Sequence, residues 1–136
     1  MTSITEQVRD LARRYTAAWC SQDPARVAAF FSPEGSLRVN AGVPAVGRAA
    51  IAEVARGFMT AFPDMEVRMD DVVPGSGKII YRWTLSGTNT GANGTGRRVR
   101  IGGFEEWQIS SDGLIAQSEG HFDETEYQNQ LQGRAP

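Results

Sequence analysis

The chain has a single histidine, His121, and a carboxylate stands two residues to either side of it, Glu119 and Asp123. On an extended strand, side chains alternate between faces. This spacing therefore puts Glu119, His121 and Asp123 on one face and Ser118, Gly120 and Phe122 on the other. An imidazole and carboxylates held together are the groups that move protons near neutral pH. Lining a closed cavity, they would make an acid/base site; facing water, they would make only a polar surface. Asp123 has a second use, because Glu126 follows it at capping-box spacing and its carboxylate could satisfy the free N–H groups that open a helix. No metal site is expected, since His121 is the only imidazole and Glu119 and Asp123 make a sparse ligand set.

These residues lie where a strand running from the Ser111-Asp112-Gly113 turn gives way to a short C-terminal helix. The chain begins differently. Ser3 and Glu6 have capping-box spacing, and Ile4, Val8, Leu11, Tyr15, Ala18 and Trp19 follow at helical period. Tyr15 falls within that apolar stripe, so its ring is expected to be buried and its hydroxyl to need a partner or a pocket. Cys20, the lone cysteine, is expected to be a small buried helix residue. Asp23-Pro24 opens a second helix through Val27, Phe30 and Phe31. Pro33-Glu34-Gly35 then reads as a turn before a short strand, Ser36 to Asn40, with Leu37 and Val39 opposing Arg38 and Asn40.

After a loop, AGVPAVG, a third helix carries Ile51, Val54, Ala55, Phe58, Met59 and Phe62 on one face and stops at Pro63. From Met65 the period changes to two, and Asp70-Asp71 suggests a bulge in the strand that follows. Residues 78–90 alternate again, with Ile79, Tyr81, Trp83 and Leu85 opposing Ile80, Arg82 and Thr84. The GANGTG loop lacks the lysine and serine of a phosphate cradle and lies between strands, so it reads as a turn. A long strand, Arg98 to Ser110, contains Gly102-Gly103, a pair suited to sharp curvature. The expected fold class is α+β: a cone-shaped, curved, mostly antiparallel sheet covered by three helices, in one domain spanning residues 1–136.

Composition narrows the function. At 136 residues and 40% hydrophobic the chain suits one core, and a net charge of −2 without long like-charged blocks argues against a nucleic-acid surface. No signal-peptide segment or membrane span is apparent, and one cysteine fits a reducing compartment, so a cytoplasmic location is expected.

The order of elements, with AWCSQDPARVAAFFSPE, AFPDMEV, RWTLSGTNTG and DGLIAQSEGHFDETEYQNQL, resembles the SnoaL-like polyketide cyclases of the nuclear transport factor 2-like superfamily. That resemblance covers nearly the whole chain. It implies a conical scaffold that hosts cyclases, ketosteroid isomerase, epoxide hydrolases and non-catalytic domains. In the cyclases it implies an acidic base at the end of the last strand, which Asp123 matches, with His121 assisting and no cofactor required. Such chemistry needs a tuned base, donors for the developing oxyanion and apolar walls. Tyr15 matches the oxyanion-donor tyrosine of ketosteroid isomerase, but the base expected near Val39 or Asn40 is missing. Arg82 matches the arginine of the epoxide hydrolases, whose partner aspartate is replaced here by Thr84. Glu119 stands where relatives carry a tryptophan, implying a more polar pocket.

The candidate substrate contacts are therefore Tyr15, Asn40, Arg82, Trp107 and Glu119, around a small, largely apolar carbonyl compound. The alternative is a non-catalytic ligand-binding or dimerisation domain. Whether Tyr81 and Trp83 or Arg82 and Thr84 face inward stays open. Trp83, Phe104 and Trp107 are more large aromatics than one small face covers, and superfamily members commonly pair sheet to sheet, so a homodimer is expected.

Overall fold

The computed structural model describes residues 4–75 and 77–133. Ser3, expected to cap the first helix, lies outside them. Helix α1 (Ile4–Cys20) buries Val8, Leu11, Ala12, Tyr15, Ala18 and Trp19, residues recurring at the three- and four-residue spacing of one helix face. Asp23 caps α2 (Pro24–Ala28) by accepting from Ala25 N, and Pro24 occupies the first turn, where its missing N–H costs nothing. Helix α3 (Arg48–Ala61) buries Ile51, Ala55 and Met59.

Six strands follow one another across a single sheet: β1 (Phe31–Val39), β2 (Ala45–Val46), β3 (Glu66–Pro74), β4 (Ile79–Thr88), β5 (Arg98–Ile109) and β6 (Ile115–Phe122). Their spatial order is β2-β1-β6-β5-β4-β3, and all neighbours are antiparallel except β1 and β6. A fourth helix, α4 (Glu124–Gln132), closes the chain. Helix α1 packs on β3, α3 on β1 and β2, and α4 on β5. One continuous apolar core runs between helices and sheet, from Leu11 and Tyr15 through Phe31, Ile51 and Phe62 to Tyr81, Trp107 and Ile115. Burying each such side chain contributes about 1.5–3 kcal/mol.

Several expectations change. The second helix ends at Ala28, and Phe31 already belongs to β1. Pro33-Glu34-Gly35, expected as a turn, forms an irregular stretch inside that strand, where the pairing with β6 shifts between Phe31 and Ser36. Part of the expected loop pairs as β2. Cys20 is exposed: at the last residue of α1 its sulfur lies 3.3 Å from both Val67 N and Val67 O, engaging polar groups on the outer edge of β3. The expected bulge at Asp70-Asp71 is present, as a register shift between Met69 and Asp71.

Strand β6 ends opposite Gly103, which leaves the first part of β5 without a neighbour on that side. The Gln130 side chain of α4 fills the gap. Its Oε1 accepts from Arg100 N at 2.6 Å and its Nε2 donates to Arg100 O at 2.9 Å, as a neighbouring strand would.

Candidate active site

The inner face of the sheet is set by strand parity and register. One row across it reads Tyr81, Glu105, Gly120, and the next reads Trp83, Gly103, Phe122. Tyr81 and Trp83 therefore face the core, while Arg82 is exposed on the other side. Gly103 is required by this arrangement, because an added Cβ would sit 2.5 Å from the Trp83 ring and 2.4 Å from His121 O. The indole lies across the space that a side chain would take and meets Phe122 edge to face at 6.1 Å.

Glu105 is the one carboxylate in this apolar row, and it is 7% exposed. Three donors converge on its Oε1: Ser118 Oγ at 2.7 Å, Tyr15 OH at 2.9 Å and Trp107 Nε1 at 3.0 Å. Each is delivered by a different element. Trp107 lies two residues on along β5, Ser118 is paired with Trp107 from β6, and Tyr15 comes down from α1. Oε2 takes none of these bonds. Burial raises the Glu105 pKa, and the bonds from Ser118, Trp107 and Tyr15 offset only part of that rise. Tyr15 is pushed well above its ordinary value, first by burial and then by the charge of Glu105, so it keeps its proton and donates. Tyr81 stacks on Trp107 with ring centroids 4.8 Å apart, and its hydroxyl is 2.5 Å from Thr16 Oγ1.

Glu105 belongs to the wall of a cavity of about 60 Å³ between α1, α3 and the sheet. That is several times the space one water needs. Around it stand Trp19, Val54 and Phe58 from the helices, Leu37 and Val39 from β1, and the inward residues of β3–β6. The indole N–H groups of Trp19 and Trp83 are buried without a hydrogen-bond partner among the described residues. That of Trp19 lies near enough to the Tyr15 hydroxyl to lower its pKa, but outside hydrogen-bonding geometry. Among the described residues no group of three or more His, Cys, Asp and Glu is placed to hold a metal, and no helix is long and apolar enough to cross a membrane.

Of the residues singled out from sequence, the structure brings Tyr15 and Trp107 together, on Glu105. Neither of these two is in the cavity wall itself, which they reach only through Glu105, and Asn40, Arg82, Glu119, His121 and Asp123 do not line it either. Glu119, His121 and Asp123 do leave the opposite side from Ser118, Gly120 and Phe122, but the serine side is the inner one. His121 Nε2 is 2.9 Å from Glu106 Oε1, and its ring stacks on Phe104 at 4.7 Å. Glu119 accepts from Arg38 Nε at 2.7 Å, and the Arg82 guanidinium lies 5.5 Å over Phe104. Asn40, at φ 52°, ties β1 to β6 by accepting from Phe122 N at 2.9 Å.

Asp123 is exposed and caps α4, its Oδ1 accepting from Glu126 N at 2.9 Å. The return arm of a capping box is not made, because Glu126 Oε1 accepts from Gln130 instead. Sequence reasoning missed Glu105 and Ser118, although a signal existed: Glu105 shares strand parity with Val99, Ile101, Trp107 and Ile109, and a carboxylate in such a set must be buried.

The open, curved sheet under helices is shared with solved proteins of the nuclear transport factor 2-like, ketosteroid isomerase-like class of folds. Within that class, the model of the SnoaL-like domain matches residues 12–118, and the chain belongs to this family. Solved structures share the fold. A proposed SnoaL-like polyketide cyclase of Jannaschia sp. is 16% identical, covering 99% of both chains with a TM-score of 0.82. TsrD of Streptomyces laurentii is 25% identical, covering 96% of this chain and 98% of its own with a TM-score of 0.78. A protein of Catenulispora acidiphila with a ketosteroid isomerase-like fold, solved in complex with trimethylamine, is 12% identical, covering 93% of this chain and 94% of its own with a TM-score of 0.80. No curated protein sequence matches the chain.

Proposed function

We propose that the chain binds a small, largely apolar carbonyl compound in the conical cavity and moves a proton on it through Glu105, without a cofactor. The observation that carries this reading is the division of Glu105 into one oxygen held by three donors and another with no hydrogen bond among the described residues, on a carboxylate in the cavity wall. A carboxylate whose proton affinity is raised by burial is a stronger base than one in water. Oε2 takes a proton from the carbon beside the carbonyl, and the electron pair moves onto the carbonyl oxygen as an enolate. Where a β,γ double bond extends the enolate, returning the proton to the γ carbon gives isomerisation. Attack of the enolate carbon on a second carbonyl of the same molecule closes a ring and leaves an alkoxide, which takes the proton back from Glu105. The uncommitted indole N–H groups of Trp19 and Trp83 are the donors left in the wall for that oxygen.

The test is deuterium exchange into a panel of small ketones in D2O, followed by NMR. The wild type and Asp123→Asn exchange the acidic protons, and Glu105→Gln loses at least ~100-fold, the scale of one general base. Exchange that survives Glu105→Gln contradicts the assignment. A second reading, a small-ligand pocket without turnover, is favoured by the trimethylamine held in the Catenulispora acidiphila protein; wild type that exchanges no faster than buffer leaves that reading standing. The outer sheet face, with Arg82, Phe104 and His121, is the contact proposed for a homodimer.

A further inference from the structure

The rings in the cavity wall come from Trp19, Phe58, Tyr81, Trp83 and Phe122, and they share it with Glu105. Trp19 meets Phe58 edge to face at 6.2 Å on the helix side, as Trp83 meets Phe122 on the sheet side. Aromatic faces carry negative potential and attract cations, most strongly organic cations that shed their water easily. Among the described residues no lysine, arginine or histidine lines the cavity, so none of them supplies a positive charge to Glu105 there. A free anion would meet the indole N–H groups of Trp19 and Trp83, but also the ring faces and the charge of Glu105, which repel it. A small cation would meet the rings and a carboxylate oxygen with no hydrogen bond of its own. About 60 Å³ suits substituents of methyl size.

We infer that this cavity is a binding site for a small tertiary or quaternary alkylammonium ion, its methyl groups against the rings and its charge facing Glu105 Oε2. The inference rests on the cavity being the functional site, and not on turnover there. An alkylammonium in this position excludes the carbonyl compound and occupies the oxygen that would take its proton, so it inhibits by competition.

The experiment titrates the protein with tetramethylammonium chloride, with tert-butanol as the neutral molecule of similar shape and with sodium pivalate as the anion, at constant ionic strength. Binding is read from the indole N–H signals of the chain's three tryptophans. The expected result is movement of the Trp19 and Trp83 signals, with tetramethylammonium binding at least tenfold more tightly than the alcohol and pivalate not binding. Glu105→Gln, whose amide oxygen can still accept the bonds from Ser118, Tyr15 and Trp107, removes that preference. Trp83→Leu, which leaves Glu105 in place, weakens the cation several-fold more than the alcohol. Equal affinity for cation and alcohol, or a preference unchanged in Glu105→Gln, overturns the inference. Deuterium exchange separates the two proposals. Protein that exchanges ketone protons but ignores the cation overturns this inference alone, whereas protein that binds the cation but does not exchange overturns the catalytic reading alone.

Discussion

At the scale of single residues, what sets Glu105 apart is how unequally its two oxygens are treated. The bonds to Oε1 favour the ionised form and burial disfavours it, so deleting a donor must raise the pKa further. Tyr15→Phe and Ser118→Ala are each expected to move the pH dependence of deuterium exchange upward and to cost ~1 kcal/mol in urea unfolding, the usual net worth of such a bond. A downward shift would mean that these hydroxyls do not donate to the carboxylate. Asp123→Ala is expected to behave otherwise, costing ~1 kcal/mol through the lost cap while leaving exchange unchanged. Both uses of Asp123 were visible in the sequence, because its distance to Glu126 and its place after His121 are local facts. Glu105 was harder to see. Its partners come from α1, β5 and β6, and only the fold brings Tyr15 within 2.9 Å of it.

Elements whose signal is local were read well. The apolar stripes of α1 and α3, the alternation of β4 and the bulge in β3 need only their own residues to be recognised. The irregular start of β1 and the two-residue β2 are held by pairing with distant strands, and Pro33-Glu34-Gly35 read alone looks like a turn. Parity along β6 was legible, but which side is inner depends on where α1 and α3 pack, and no residue of β6 states that. Gly103 illustrates how an element shapes the site. Gly103→Ala places a methyl group against both the Trp83 ring and His121 O, so a loss of about 1–3 kcal/mol is expected from overpacking. Displacement of the Trp83 indole should accompany it, and a thermal melt together with the Trp83 N–H signal checks both. An unchanged signal would show that the sheet, and not the ring, gives way.

For the whole molecule, pH acts on stability through its carboxylates in two opposite senses. Asp64 and Asp112 have lowered pKa values, the first chiefly through the Thr88 backbone N–H and the second chiefly through the Ser110 hydroxyl. Their contribution is present above 3.8, the ordinary aspartate value, and is lost as pH falls through their folded values. Glu105 acts in the opposite sense. Its folded pKa is raised above 4.5, so the folded state holds the proton more tightly than the unfolded one and stability declines as pH rises from 4.5 through the folded value. Glu105→Gln lacks that decline, and the melting temperature of the variant should gain on the wild type with rising pH; parallel curves would count against a buried carboxylate. The measurement that bears most directly on the site is the titration of the Glu105 carboxyl carbon by 13C NMR, assigned by its disappearance in Glu105→Gln. Titration above the ordinary glutamate range, moving higher in Tyr15→Phe, is the predicted result. Titration within the ordinary range and unmoved by that substitution would contradict the placement of Glu105 as the proton-transferring group of this cavity.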